Sequence, residues 1–434
     1  IAGVKEFTQL TRLQFLNHSF TAISEIGSLS NLTNLLLQQT TATIPDTELA
    51  IFNNVANFAN LNRLSLINSL VPTGATTNIA PLANLTSLTW LELGSNTLQD
   101  ISPLASLTRL STLTMENNQI RDLSALSTLT SLFLLQAKNN QISTLAVITN
   151  FAASLTFLSL SYNPVDSLGI AVFNTSPEVL GTGARFPELQ VIDMINTNIA
   201  DIGSLGNVSG LATLPKLSVL TLYNELGRDC NAASVTCNTI TNIDSLASIP
   251  SLTKVELANF DPATTFGNKV TNMTPLALLP LLSYISLDRN AIDDIGLGSI
   301  TTVANSFPAL QTLHLRNNNI TYVDNLLGFE DANGNTQPLI RINLTNNKLG
   351  TAPIAGRDRD GVALLESFYN NPVINPSPPI IDLDNNVSMS CTALTNLRNL
   401  AETNFGLGYV VPLTSVNGTD CSSNAPVITQ GATI

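Results

Sequence analysis

Leucine recurs along this chain in a fixed frame, L-x-x-L-x-L-x-x-N-x-(L/I/V). The clearest copies are Leu110, Leu113, Met115, Asn118 and Ile120, then Leu132, Leu135, Ala137, Asn140 and Ile142, then Leu155, Leu158, Leu160, Asn163 and Val165. Frames open at Leu10, Leu32, Leu61, Leu88, Leu110, Leu132, Leu155, Leu189, Leu217, Leu252, Leu282, Leu310 and Leu339, and a degenerate one opens at Ala363, with Phe368, Asn371 and Val373 in register. That gives 14 repeats spaced 22 to 35 residues apart. The central L-x-L pair has period two, which predicts a short strand burying one side. One repeat cannot bury that side alone, so the repeats must stack and their strands form a parallel sheet. Each buried leucine contributes roughly 1.5–3 kcal/mol. The asparagine of the ninth slot, at 96, 118, 140, 163, 290, 318, 347 and 371, sits where the strand ends. Its amide is expected to satisfy backbone groups here and in the next coil. Longer returns predict helices over Glu48–Phe58 and Ser299–Phe307. The Pro/Gly-marked insert from Ser176 to Gly183 reads as a contact loop.

The return segments carry a second signature in Asp100-Ile-Ser-Pro-Leu104, Asp122-Leu-Ser-Ala-Leu126, Asp244-Ser-Leu246 and Met273-Thr-Pro-Leu276. In these the chain resembles the bacterial internalin-type leucine-rich-repeat proteins, whose pattern reads N-x-I-x-D-I-x-P-L. The match is closest over residues 80–145 and looser elsewhere; the plant-receptor return, L-G-x-I-P, is not matched. The resemblance implies an α/β solenoid: a curved horseshoe with a concave parallel sheet and short helices or 3-10 turns on the convex side. It also implies a secreted or cell-surface protein that grips a protein on its concave face. The partner's identity does not carry over, because partner residues occupy the variable slots.

The solenoid is expected over 1–374, a Pro-rich transition over 375–390, a helical cap over 391–425 and a tail or linker over 426–434. Ile1, Val4 and Phe7 read as the back half of a coil, which suggests a segment upstream. The cap holds Leu394, Leu397 and Leu400 on one helical face, and Cys391 and Cys421 at its two ends. A helix and a Cys pair after the last repeat resemble the C-terminal caps of secreted bacterial repeat proteins. Four cysteines permit three pairings. The near-neighbour set, Cys230 with Cys237 and Cys391 with Cys421, suits a linear array best. Free thiols and a zinc site are the rival readings, and the two histidines lie too far off to complete the second. Disulfides imply an oxidising, extracellular compartment.

Composition narrows function further. Lys and Arg number 18 against 31 Asp and Glu, a net charge of −13, which makes a poor phosphate-backbone binder and argues against nucleic acid. Charged residues are 11%, against roughly 25% in ordinary domains. No apolar run reaches the roughly 18 residues of a membrane span. His18 and His314 fall eleven repeats apart and cannot share a hydrolase triad. Glu92, Asp193 and Glu256 lie too far apart for paired-carboxylate work, and no phosphate-cradling loop occurs. The expectation is therefore no enzyme and no cofactor. Asp331-Ala-Asn-Gly-Asn335 and Asp358-Arg-Asp360-Gly361 have the oxygen ligands of calcium turns but not the twelve-residue spacing.

What remains is a surface. The slot before the second leucine holds Trp90, Leu134, Phe157, Val191 and Tyr284; the slot after the third holds Ile67, Ile195 and Tyr223. Tyr162 lies one place further on, and Phe133 opens a strand. Glu92, Glu116, Asp193, Glu256 and Asp288 fall among them, and His314 lies mid-strand beside Arg316 and Asp288. Trp and Tyr are typical interface anchors. Trp90, Phe133, Phe157, Tyr162, Asp193, Tyr223, Glu256, Tyr284, Asp288, His314 and Arg316 are thus the candidate partner contacts; the competing reading packs the rings on neighbouring coils. The function expected is an extracellular binding or adhesion module for a protein, or for a glycan. The alternatives are a structural cell-surface or assembly component and an intracellular scaffold, the last disfavoured by the cysteines.

Overall fold

The computed structural model describes all residues except 1–2, 39–40, 175–184, 207–213, 226–229, 231–234, 261–266, 278, 295–306, 324–339, 350–379, 387–390 and 406–434. The contact loop Ser176–Gly183, nearly all of the helix predicted over Ser299–Phe307, both calcium-type turns, the Ala363 frame and Cys421 lie outside the described residues, as does the side chain of Cys391. The chain forms two units, Ile1–Leu222 with Thr236–Asn238, and Tyr223–Val235 with Thr239–Ile434.

The first unit is a stack of coils, each contributing one parallel strand. The strands run in chain order from Arg12–Leu16 and Asn34–Gln38 through Arg63–Ser65, Trp90–Glu92, Thr112–Thr114, Leu134–Gln136, Phe157–Ser159 and Val191–Asp193 to Val219–Thr221. Most are triplets with the frame's second leucine at the centre. Leu91, Leu113, Leu135 and Leu158 are fully buried, while their flanking residues form the sheet's other face.

The returns show why the coils can be so short. Ile101, Leu104, Leu107 and Leu110 recur every third residue and are buried. Leu104, Leu107 and Leu110 each donate N–H to the carbonyl three residues back, at 2.9 Å. A 3-10 helix eclipses side chains at that period and rises about 2.0 Å per residue, so one turn crosses the back of the coil. The segments Ala80–Asn84, Ser102–Ser106 and Ser124–Thr128 are such turns. Asp100 and Asp122 start two of them by accepting the N–H of Ser102 and Ser124, both at 2.7 Å. The backbone bond from Ser124, then its hydroxyl, holds the Asp122 carboxyl below its ordinary range. The helix predicted over Glu48–Phe58 is instead two 3-10 segments, Asp46–Asn53 and Val55–Phe58, broken at Asn54. Phe52 and Phe58 close over its core with rings 4.8 Å apart.

The ninth-slot asparagines form a relay. Asn118 donates to Met115 O in its own coil and to Leu93 O in the preceding one, both at 3.0 Å, and its Oδ1 accepts Asn96 N–H and Leu98 N–H. Asn96, Asn140 and Asn163 repeat the pattern. The second coil served is the preceding one, not the next. Where a frame carries Thr197 in this slot, Asn238 supplies the amide from 41 residues along, accepting the Thr197 hydroxyl and donating to Met194 O and Leu222 O.

The second unit repeats the construction with Lys254–Glu256, Tyr284–Ser286, Thr312–His314, Arg341–Asn343 and Ile380–Asp382 paired in order. Asn268 serves as the relay amide for the frame opening at Leu252, whose own slot holds Phe260. The last strand is one the repeat frames did not include. It falls in the span assigned to the Pro-rich transition, and its frame is Pro378, Ile381, Leu383 and Asn386. Asn386 donates to Leu344 O and Leu383 O, and Ile380 pairs directly with Arg341. The helix Cys391–Phe405 follows, with Leu397 and Ala401 buried one turn apart and Arg398 paired to Glu402 at 2.8 Å. Cys230 and Cys237 are both in disulfides.

Candidate functional site

The parallel register lines same-slot residues up across neighbouring coils. In the first unit Arg63, Trp90, Thr112, Leu134, Phe157, Val191 and Val219 stand side by side on the open face of the sheet. The rings of Trp90, Phe157 and Tyr162 are half-buried, and two of them lie under a cation of the preceding coil. Arg63 lies 3.5 Å over the Trp90 ring, and Lys138 lies 4.7 Å over Tyr162. Phe133 is the ring that stands out, 42% exposed, though it precedes the strand Leu134–Gln136 rather than opening it. Asp193 accepts the hydroxyls of Ser159 and Ser161, both at 2.8 Å. Around Trp90, buried polar atoms lack hydrogen-bond partners: Trp90 Nε1, Arg63 Nε and Glu92 Oε2.

Tyr162 sits at a left-handed corner, as Ser95 and Arg289 do in their own coils. It has φ of 59°, at the corner where Asn117, Asn139, Asn317 and Asn346 take the same left-handed conformation. That region costs an ordinary side chain about 1–2 kcal/mol and favours Asn. A tyrosine there is held against local preference.

The second unit's face is ionic. Lys254, Tyr284, Thr312, Arg341 and Ile380 line one column; Glu256, Ser286, His314, Asn343 and Asp382 line the next. Arg316 bonds Asp288 through its backbone N–H at 2.7 Å and through Nε and Nη2 at 2.8 Å each. Arg341 grips Asp382 at 2.9 and 2.7 Å. Lys254 pairs with Glu256 at 3.1 Å and sits 5.1 Å over Tyr284. Burial, reinforced by the carboxylates of Glu256 and Asp288, pushes the Tyr284 phenol up to about 12. His314 lies 5.6 Å from the Tyr284 ring, and its Nδ1 has no hydrogen-bond partner. Burial holds the imidazole below its ordinary range, against the pull of Asp288. Tyr223 packs edge-on against Phe260 at 5.2 Å. Asp288 was expected among exposed contacts; it is buried beneath Arg316 and acts through that side chain.

The structure thus gathers the candidates on two faces. Trp90, Phe133, Phe157, Tyr162 and Asp193 belong to the first unit; Tyr223, Glu256, Tyr284, Asp288, His314 and Arg316 belong to the second. Sequence reasoning missed Arg63, Lys254 and Arg341. Same-slot comparison between adjacent frames would have found Arg63 beside Trp90 and Lys254 beside Tyr284. The partner of Arg341 depended on the unread Pro378 frame. His18, in the ninth slot of the first frame, is exposed, with Nδ1 2.6 Å from Leu16 O. Among the described residues no three His, Cys, Asp or Glu side chains gather to hold a metal, and no helix is long and apolar enough to cross a membrane.

The leucine-rich repeat family, as two repeat copies, matches residues 86–128. No curated protein matches the chain. Among solved structures, an internalin (inlF) from Listeria monocytogenes is 24% identical, with 79% of this chain and 83% of that one covered at a TM-score of 0.59. A leucine-rich-repeat protein of Leptospira interrogans is 19% identical, covering 92% and 91% at a TM-score of 0.60. A TDR receptor is 18% identical, covering 91% of this chain and 59% of that one at 0.58. At such identities the likeness is one of fold. Repeat frame, strand ladder and asparagine relay agree with it: the chain has the leucine-rich-repeat fold.

Proposed function

We propose that this protein is an extracellular or cell-surface recognition module that binds a protein partner on the open faces of its sheets. The observation that carries the reading is the placement of large side chains in slots the repeat does not need. Core leucines and relay asparagines account for the fold, yet Trp90, Phe157, Tyr162 and Tyr284 occupy slots whose residue type the repeat does not fix, one of them at a backbone cost. A strained residue that the scaffold does not require argues for a role elsewhere. Leucine-rich-repeat proteins in general mediate protein binding, and the solved structures of this fold include an internalin and a receptor. The disulfide-bonded Cys230 and Cys237 support an oxidising compartment.

The test is affinity capture from the native cell surface, followed by titration of the captured partner against Trp90→Ser, Tyr162→Ser and Tyr223→Ser. Anchor residues typically contribute 2 kcal/mol or more, so the triple variant should bind about 100-fold more weakly or worse. Unchanged affinity in a variant with native circular dichroism and melting would remove the reading.

A further inference from the structure

The chain is acidic overall, yet the second unit's sheet face presents cations. Each basic side chain there is seated on a carboxylate that lies deeper than itself. The side chains of Lys254, Arg316 and Arg341 are 39%, 40% and 45% exposed; those of Glu256, Asp288 and Asp382 are 17%, 2% and 7% exposed. The carboxylates neutralise the face while Asp288 and Asp382 are covered and Glu256 is largely so. What a partner meets is the outer edge of each cation. Arg316 and Arg341 each spend Nε and Nη2 on their anchors, which leaves Nη1 directed to neither. Anchored guanidinium groups lose little further rotamer freedom on binding and bond carboxylates strongly. Among the described residues, Asp384, past the end of the last strand, adds a half-buried carboxylate to this tract, and Glu225 an exposed one beyond Tyr223. The first unit differs: Arg63 is 26% exposed, occupied by the Trp90 ring, and 3.9 Å from Glu92.

From this we infer that the second unit's face docks an acidic peptide segment of the protein partner, its Asp or Glu carboxylates meeting Arg316, Arg341 and Lys254. The inference rests on the recognition reading above and names the chemistry of one of its faces. Charge complementarity chooses the occupant: a basic segment would meet cations first, and a neutral one would accept weaker hydrogen bonds from the guanidinium groups than a carboxylate does.

The test uses the full chain and labelled hexaglutamate, with hexaglutamine, hexalysine and maltohexaose as comparators. Hexaglutamate should bind at least tenfold more tightly than any comparator at low salt and weaken steadily as salt is added. Removing one ion of a buried pair strands the other, so the variants remove both: Arg316→Gln with Asp288→Asn, and Arg341→Gln with Asp382→Asn. The combined variant should lose at least tenfold in hexaglutamate affinity, whereas Lys216→Gln, a cation of the first unit paired to Glu188, should lose nothing. An independent measurement needs no variant: hexaglutamate should protect Arg316 and Arg341 from phenylglyoxal, read by peptide mass mapping. Equal affinity for hexaglutamine, preference for hexalysine or maltohexaose, absent protection, or wild-type affinity in the folded combined variant would each overturn the inference. If the captured partner is lost on Trp90→Ser and Tyr162→Ser while hexaglutamate fails to bind, the recognition reading stands and this inference alone falls.

Discussion

The two units share one repeat frame and present opposite chemistries. In the first, Leu134, Phe157, Val191 and Val219 stand in register as an apolar row, with polar groups beside them tied to hydroxyls. In the second, cations sit on buried carboxylates through direct, short bonds. The fold does not choose between these. Its core needs the inward leucines and its corners need the asparagines; the outward slots are unconstrained, and each unit fills them differently. Identity of scaffold is therefore no guide to identity of ligand.

The contrast can be broken most sharply at Asp288. Asp288→Ala removes three bonds to Arg316 and strands a backbone N–H. Allowing for the partly solvated guanidinium, it should cost about 2 kcal/mol in chemical denaturation. In the first unit, Glu92→Gln alters a pair already 3.9 Å apart and should stay within about 0.5 kcal/mol. Equal losses would mean the two faces are not built differently. Phe157→Ala comes next; a half-buried ring in the apolar row should cost about 1–2 kcal/mol, insensitive to salt, whereas the Asp288 effect shrinks as salt rises. Tyr162→Asn should change stability in the other direction. Asn suits φ of 59°, so unfolding should require up to about 1 kcal/mol more while partner affinity falls. The smallest effect is on pH. His314 is held below its ordinary 6.5 by burial, so the unfolded chain binds its proton first. Its contribution is complete above pH 6.5 and is lost as pH falls beneath that value toward the folded one. His314→Gln should flatten that part of the stability profile and leave the first unit's ring contacts unchanged.

Much of the scaffold was legible because each repeat states its core twice, as period-two and period-three leucines. Ile101, Leu104, Leu107 and Leu110 even specify the 3-10 return, although the longer Glu48–Phe58 span was read as a helix. The relay was legible where the ninth slot holds Asn. It was hidden where Asn238 and Asn268 reach back from beyond an insert, because sequence spacing no longer reports proximity. The last strand was missed since Pro378 stands where a leucine is expected. The candidate faces were legible as positions only. Slot arithmetic put Trp90 and Tyr284 on the sheet's open side, but not under a cation, and it could not tell that Asp288 is covered. Those facts depend on which side chain of the adjacent coil leans over, and that is settled by packing.

The distant asparagines carry one more consequence. Because the hydrogen bonds at each corner are served by an amide that need not be a near neighbour in the chain, the length of polypeptide leaving and re-entering there is not fixed by the stack. Asn259 and Asn268 meet across such an excursion, Asn268 N–H donating to Asn259 Oδ1 at 2.9 Å. A corner closed in this way works like a clasp: segments of different length and character can be exchanged beyond it, and the array becomes a frame on which new surface is acquired without redrawing the core.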